Sequence, residues 1–264
     1  SQSLYCGFEW SRTRRSDREI HRGRAGYYGN ISFIDHQIGR VLYEYGKRDP
    51  EGLANTLIVF TSDHGDMMGD HHHWRKTYPY EGSARIPFVV QWPTAWGKDV
   101  PRGQVLNEPI ELRDIMPTFL DAAGLDAPDS VDGESLLSLC NGTASDWRPF
   151  VQGEHTQCYD HEHGMQYVTD GDEKYIWFHH TGEEQFFDLR TDPHECHDLT
   201  RDPRAAERID VWRKRLAQVN EERGDPRGQG GQLVPQPEGA LRLSPNYSRW
   251  RDAAAARMGD WQGS

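Results

Sequence analysis

The residue types that can do chemistry are concentrated directly after an apolar run. Residues 56–61 read Thr-Leu-Ile-Val-Phe-Thr, and Asp63, His64 and Gly65 follow. Such a run is typical of a strand buried on both faces of a parallel sheet, and ligands bind beyond the carboxyl ends of these strands. A carboxylate beside a neutral imidazole can ligate a divalent cation, and glycine lets the backbone turn sharply around it. The pattern indicates a metal site at Asp63 and His64. The alternative is an ordinary turn capped by the Asp63 side chain.

More polar residues follow in the same stretch. Lys76 is one of only five lysines, and it lies in a segment crowded with polar and aromatic residues. From there its ammonium could contact an anionic group beside the metal. The run His71-His72-His73 is weaker, because consecutive side chains of an extended chain alternate faces and at most two could bind one ion. A solvated loop is the alternative for this run.

Hydrophobic periodicity predicts the elements that hold these residues. Helical spacing indicates an amphipathic helix over residues 25–45, and a second buried strand covers 87–92 before a helix over 110–123. Short alternating or aromatic segments between 150 and 189 predict an antiparallel meander, with a helix over 205–222 lying on it. The boundaries follow as a linker at 1–23, an α/β part at 24–148, an antiparallel subdomain with a helix at 149–223, and an extended tail at 224–264.

Composition excludes several classes. The chain has 264 residues, a net charge of −12 and 35% hydrophobic residues. The excess of acidic residues argues against a nucleic-acid partner, because binding to phosphates requires a basic surface. The apolar run 57–60 is far shorter than the roughly 18 residues of a membrane span. No pair of cysteines has zinc-ligand spacing. The apolar content is low for this length, and one interpretation is that part of the core comes from polypeptide outside this sequence.

An ordered series of motifs resembles the second conserved block of formylglycine-dependent sulfatases, members of the alkaline phosphatase superfamily. The similarity covers about residues 24–203. It implies an α/β fold: part of an alkaline-phosphatase-like mixed or parallel sheet sandwiched by helices, plus a small C-terminal antiparallel sheet with a packed helix. The main motifs are Asp63-His64-Gly65-Asp66, Gly69-Asp70-His71, Trp74-Arg75-Lys76, Tyr80-Glu81-Gly82 and Arg85-Ile86-Pro87-Phe88.

The resemblance also implies roles for individual residues. Asp63 and His64 match two metal ligands of the family, with Ca²⁺ favoured and Mn²⁺ open, since imidazole suits transition metals better than hard Ca²⁺. Lys76 matches a lysine that contacts the sulfate oxygens and stabilises the leaving group. His71 and His73 are candidate pocket residues. His155 lies in a segment that can approach the pocket in related arylsulfatase-like proteins, the alternative being a polar strand end.

The family's nucleophile is the main departure. It is a formylglycine made from the first residue of a Cys/Ser-x-Pro/Ala-x-Arg motif. None of the four cysteines of this chain begins that motif: neither Cys6 nor Cys140, Cys158 or Cys196. The chain therefore resembles the second half of a sulfatase, whose implied partner is the missing N-terminal half of the same fold. The resemblance implies that in the complete enzyme the hydrated aldehyde attacks sulfur, Lys76 and a histidine assist departure of the alcohol, and the hemiacetal collapses with release of sulfate. Two ligands bind Ca²⁺ poorly, so we expect the isolated chain to be inactive.

Three functions are compatible with the sequence. The first is hydrolysis of a carbohydrate or aryl sulfate. The second is hydrolysis of a phosphonate monoester or phosphodiester, which His64 favours because related branches of the superfamily share it. The third is a catalytically inactive module. The family resemblance favours a periplasmic or secreted location.

Overall fold

The structure, a computed structural model, describes residues 15–97, 100–155 and 164–236. Its helices are α1 (Asp17–Arg48), α2 (Pro50–Ala54), α3 (Glu81–Ala84), α4 (Ile115–Ala122), α5 (Leu136–Cys140) and α6 (Ala206–Glu222). Its strands are β1 (Ile58–Thr61), β2 (Phe88–Gln91), β3 (Val151–His155), β4 (Met165–Thr169), β5 (Glu173–Phe178), β6 (Glu184–Asp188), β7 (Gly228–Gln229) and β8 (Gln232–Leu233). The predicted α/β fold class is confirmed, including the C-terminal antiparallel sheet with its packed helix.

Helix α1 begins earlier than the periodicity predicted. Its N-cap is Ser16, whose hydroxyl accepts the Glu19 amide while the Glu19 carboxylate accepts the Ser16 amide. This reciprocal capping box supplies partners for two backbone donors that a helix start would otherwise leave unpaired. The predicted linker is therefore wrong for the helical residues from Asp17 onward, whereas residues 1–14 lie outside the described residues. The missed signal is the spacing of Ser16 and Glu19.

Strands β1 and β2 correct one detail of the predicted sheet. They run antiparallel, with Val59 opposite Val90, rather than parallel. They are also not covered on both faces, since Phe60 is 44% and Val89 is 59% exposed. A continuous apolar run shows that a strand suits burial, but it does not fix the direction of its neighbour. In the described part of the chain no layer covers these two side chains.

The apolar side of α1 is exposed in the same way. None of its residues is buried. An amphipathic helix normally packs its apolar stripe against a core. Large apolar side chains that stay exposed on α1 are Tyr27, Tyr28, Ile31, Phe33, Ile34, Val41, Tyr43 and Tyr45.

The four strands of the C-terminal meander pair in sequence order, β3-β4-β5-β6, all antiparallel. One face packs on α6, where Tyr175, Trp177 and Phe186 meet Trp212 and Leu216 in a buried cluster. The packing role predicted for the sheet's aromatic residues is thus confirmed on this face.

The opposite face of this sheet packs against the polar stretch that follows β1. Met67 and Tyr80 from that stretch are buried with Ile176, Phe187 and Leu189 of the sheet and its exit. The residues with candidate chemistry are therefore anchored to the C-terminal sheet by apolar contact. Residues 224–236 are not simply an extended tail, because β7 and β8 form a short hairpin beside α6. Residues 237–264 lie outside the described residues.

Candidate metal and anion site

Asp63 and His64 lie side by side just after β1, as the sequence predicted. The His64 Nε2 atom is 3.3 Å from the Asp63 Oδ2 atom. The His64 side chain is 40% exposed and the Asp63 side chain is 80% exposed, so both ligand atoms can be reached from solvent. An imidazole nitrogen and a carboxylate oxygen at this separation can ligate one cation together.

Hydrogen bonds on the far side of each group leave those two atoms available. His64 Nδ1 is 2.8 Å from the carbonyl oxygen of Gly65. Because a carbonyl only accepts, Nδ1 carries a proton, and in the neutral ring Nε2 presents its lone pair toward Asp63. Asp63 uses its other oxygen, Oδ1, to accept the His64 amide at 3.0 Å. A metal-ligating histidine ordinarily has such a partner on its second nitrogen.

The pair fits a divalent cation as part of a larger ligand set. The described residues hold no group of three or more His, Cys, Asp or Glu side chains that could bind a metal ion. Ca²⁺ needs about six to eight oxygen ligands. The rest of the coordination shell would have to come from water, an anionic ligand or polypeptide outside the described residues.

Gly65 ties the pair to α3. Its amide donates to the Ser83 carbonyl at 2.8 Å. A Cβ at this position would lie 2.2 Å from the Gly82 carbonyl oxygen, which no real side chain tolerates. Residue 65 must therefore be glycine for the backbone of Asp63 and His64 to approach α3 this closely.

The stretch beyond Gly65 has an unusual backbone. Left-handed φ angles are uncommon outside glycine, and strained residues of this kind cluster at functional sites when their surroundings hold them there. Between residues 68 and 77, five non-glycine residues have positive φ: Met68, His71, His72, Arg75 and Thr77. We call residues 62–80 the site segment.

Helix α1 holds one side of the site segment. Arg24 donates from Nε to the Met68 carbonyl at 3.0 Å and from its terminal nitrogen to Asp70 Oδ1 at 2.7 Å. Within the segment, Asp66 Oδ1 accepts the amides of Met68 at 2.8 Å and Arg75 at 3.1 Å. These hydrogen bonds fix an irregular backbone in which a short 3₁₀ helix covers Asp70–His72.

Lys76 lies inside the strained part of the site segment. Its side chain is exposed, and it forms no ion pair with a carboxylate of the described residues. Lys76 lies between two residues with positive φ, Arg75 and Thr77. An exposed ammonium without a carboxylate partner is free to contact an anion.

His71 and His73 pack against tyrosines of the same segment. The His71 ring stacks on Tyr80 at 4.2 Å with an interplanar angle of 8°, and the His73 ring stacks on Tyr78 at 4.1 Å and 15°. His71 Nε2 also lies 3.0 Å from the His194 carbonyl oxygen. Both rings are thus oriented by stacking, and their contact with substrate stays a prediction.

His155 lies at the end of the C-terminal sheet opposite to Lys174. It ends β3 and pairs with Met165, which pairs in turn with Phe178 at one end of the sheet. The contact between Lys174 and Glu81 lies toward the other end, where Lys174 is opposite Thr169, and Tyr80 packs between the two ends, on Ile176. Four residues of strand span about 13 Å. The register therefore separates His155 from the contact between Lys174 and Glu81, and its role in substrate binding stays a prediction.

Sequence reasoning missed the residue that makes the attachment. Lys174 on β5 is completely buried, and its Nζ lies 2.6 Å from Glu81 Oε1, 2.9 Å from Glu195 Oε1 and 2.9 Å from the Pro79 carbonyl oxygen. Burial raises the pKa of the Glu195 carboxyl group, opposed by the nearby Lys174 charge. The available signal was a lone lysine inside an aromatic strand.

The fold places the chain in a class of α/β proteins, the alkaline phosphatase superfamily. Residues 69–222 match the family model described as N-sulphoglucosamine sulphohydrolase, C-terminal, and residues 5–125 match the model described as Sulfatase. The chain belongs to the sulfatase family.

Curated relatives agree with the family match. The chain is 46% identical over 220 residues to an arylsulfatase of Clostridium perfringens, covering 82% of this chain and 44% of the relative. It is 37% identical over 217 residues to the multifunctional alkaline phosphatase superfamily protein PehA of Trinickia caryophylli, covering 76% and 41%. The chain thus spans less than half the length of these two relatives.

Solved structures with the same fold include a complex with a sulfated sugar and a phosphonate monoester hydrolase. The structure of BT4656 in complex with its substrate D-glucosamine-2-N,6-O-disulfate matches with a TM-score of 0.63 and 26% identity, covering 75% of this chain and 40% of that one. The phosphonate monoester hydrolase SpPMH from Silicibacter pomeroyi matches with a TM-score of 0.69 and 25% identity, covering 86% and 47%. No helix within the described residues is long and apolar enough to cross a membrane.

Proposed function

We propose that this chain provides the second half of the active site of a sulfuric ester hydrolase that acts on a carbohydrate or aryl sulfate. The observation that carries the proposal is the Asp63–His64 pair, with Oδ2 and Nε2 3.3 Å apart at the end of β1 in a chain of the sulfatase family. A divalent cation, with Ca²⁺ favoured and Mn²⁺ open, supplies Lewis-acid stabilisation of negative charge when it is bound.

The chain's own residues have distinct tasks in this proposal. Asp63 and His64 hold their two donor atoms toward the cation, and the Nδ1 hydrogen bond to Gly65 keeps the imidazole in the required tautomer. Lys76 offsets the negative charge that develops on the sulfate group and the departing oxygen. His71 and His73, which stack on Tyr80 and Tyr78, are assigned in this proposal to the substrate pocket.

The nucleophile and the remaining ligands come, in this proposal, from an N-terminal half of the same fold. Support comes from the coverage of the relatives, since this chain spans 44% of the Clostridium perfringens arylsulfatase. The exposed apolar stripe of α1 and the exposed Phe60 and Val89 are surfaces that such a half would cover. A formylglycine nucleophile and a periplasmic or secreted location complete the proposal.

A phosphonate monoester or phosphodiester hydrolase is the second candidate. Two observations favour it: His64, and the structural similarity to SpPMH with a TM-score of 0.69. In this reaction Lys76 and the cation site would have the same electrostatic role toward a phosphoryl group.

The two candidates are separated by rates on matched substrates. The gene product, including any sequence upstream of Ser1, is assayed with a chromogenic aryl sulfate, a phosphonate monoester and a phosphodiester. We expect the aryl sulfate to be hydrolysed fastest and the isolated 264-residue chain to show no turnover. Preference for the phosphonate or the phosphodiester would select the second candidate, and loss of all three activities in the complete protein would indicate the inactive module.

A lysine substitution tests the catalytic role directly. Lys76→Ala removes the charge proposed to stabilise the transition state, so we expect kcat to fall by roughly 10²- to 10³-fold. Lys47→Ala, at an exposed position near the end of α1, is the matched control and should leave kcat unchanged. Equal rates for the two variants would remove Lys76 from the mechanism.

A further inference from the structure

A buried ion cluster connects the C-terminal sheet to the cation-ligand pair. Among the described residues, Lys174 is the one cation of this cluster. Its Nζ atom lies 2.6 Å from Glu81 Oε1 and 2.9 Å from Glu195 Oε1. The side chains of Lys174 and Glu195 are 0% and 2% exposed. Breaking a buried ion pair by removing one partner is costly, because the remaining charge stays in a low-dielectric environment. The cluster therefore holds its members in one arrangement.

The cluster fixes the start of α3. The amide of Glu81, the first residue of α3, donates to Glu195 Oε2 at 2.7 Å, while its side chain accepts from Lys174. Lys174 also donates to the Pro79 carbonyl, just before the helix. Helix α3 is a single turn, too short to be stable by itself. These three contacts to β5 and to residue 195 hold it in place.

Helix α3 in turn fixes the residues behind Asp63 and His64. Ser83, in the same turn as Glu81, accepts the Gly65 amide at 2.8 Å. The Gly82 carbonyl packs so closely on Gly65 that it leaves no room for a Cβ atom. A shift of α3 would move or release the backbone that orients the His64 ring through the Gly65 carbonyl.

We propose that Lys174 is a positioning residue for the cation site: it holds Glu81 and Glu195 in one buried cluster, and through α3 and the Gly65–Ser83 hydrogen bond it sets the geometry of Asp63 and His64. The inference rests on the proposed function for the cation itself, but the mechanical connection from the sheet to Gly65 is independent of it. Lys174 touches no substrate, and its effect on the site is transmitted through α3.

The test uses the complete gene product with three single substitutions. Lys174→Met removes the buried charge with little change in length, Glu195→Gln keeps an acceptor for the Glu81 amide, and Lys214→Met is the control. Lys214 lies on the exposed surface of α6, where it pairs with Asp210 at 2.7 Å. Hydrogen exchange measures the amides of Gly65 and of β4 and β5, and calorimetry measures the Kd for Ca²⁺.

We expect Lys174→Met and Glu195→Gln to speed exchange at the Gly65 amide at least about tenfold while the amides of β4 and β5 keep their protection. We also expect the Kd for Ca²⁺ to rise roughly 10- to 100-fold, as is usual when a residue that supports a metal ligand is lost. Lys214→Met should change neither quantity. This selective effect separates positioning from a general loss of stability.

Two results would overturn the inference: unchanged exchange at Gly65 in a folded variant, or an equal increase at Gly65 and throughout the sheet. If Lys174→Met does not fold, Glu195→Gln decides by the same criteria. If the wild-type protein binds neither Ca²⁺ nor Mn²⁺ while the variants still release Gly65 selectively, the positioning role stands and the proposed function fails.

Discussion

Replacing Gly65 by alanine gives a sharp test of the contact between the ligand pair and α3. The added Cβ would lie 2.2 Å from the Gly82 oxygen and 3.1 Å from the Gly82 carbonyl carbon, where ordinary contact begins at 3.4 Å. Both neighbours are backbone atoms, so no side-chain rotation can relieve the overlap. The two segments must separate by roughly 1 Å, which introduces overpacking strain.

The cost of this substitution can be estimated from the structure. Separation breaks the Gly65–Ser83 hydrogen bond of 2.8 Å, worth about 1 kcal/mol. Overpacking of a close backbone contact adds about 1–3 kcal/mol. We therefore expect Gly65→Ala to lower the free energy of unfolding by about 2–4 kcal/mol and to weaken Ca²⁺ binding, because the Gly65 carbonyl orients His64.

The matched control is Gly26→Ala, which should raise the free energy of unfolding rather than lower it. Gly26 lies in α1, and an added Cβ would meet nothing within 4 Å. Alanine in a helix interior is favoured over glycine by roughly 0.5–1 kcal/mol, so Gly26→Ala should stabilise the protein. Urea unfolding of the complete gene product compares the two variants. If Gly65→Ala leaves both the free energy of unfolding and the Ca²⁺ affinity unchanged, the reasoning about this contact is refuted.

Two further substitutions test the surroundings of the site. Arg24→Met removes both hydrogen bonds from Arg24 to the site segment, so we expect faster proteolysis within residues 68–77 and a loss of about 1 kcal/mol of stability. The control, Arg40→Met, removes a hydrogen bond within α1 and should change neither quantity. Equal proteolysis of the two variants would contradict this prediction. His179 is fully buried, and neither ring nitrogen has a hydrogen-bond partner among the described residues. Burial, aided by the Arg227 charge, lowers its pKa from 6.5 to about 4. Because the folded state disfavours the proton, stability is complete above pH 6.5 and falls toward pH 4, by at most ~3 kcal/mol. His179→Leu should flatten the stability profile between these pH values and His36→Gln should not; identical profiles for wild type and His179→Leu would refute this role.

The local elements could be predicted well from sequence because each has a strong pattern of its own. The antiparallel meander predicted between residues 150 and 189 is confirmed, and its four strands pair in sequence order. Alternation and turn residues act over a few positions, so they need no knowledge of the rest of the chain. The start of α1 was also readable, through the Ser16–Glu19 capping box, although periodicity alone placed it too late.

What sequence could not supply is contact between distant segments. The attachment of the site segment to the sheet joins Lys174 to Glu81, 93 positions apart. Neither the left-handed backbone around Lys76 nor the exposure of Phe60 follows from local preference. Burial of an apolar run depends on which layer covers it, and a buried lysine is stable only beside its carboxylates. These features depend on tertiary structure.

The central claim is that Asp63, with His64, binds the catalytic cation. The most direct measurement is the Kd for Ca²⁺ of the complete gene product by calorimetry, in the wild type and in Asp63→Ala. Asp63 is 80% exposed, so its loss should not unfold the protein, and Asp126→Ala, also at an exposed position, is the control. We predict that Asp63→Ala raises the Kd at least about tenfold while Asp126→Ala leaves it unchanged. An unaltered Kd in Asp63→Ala would contradict the account.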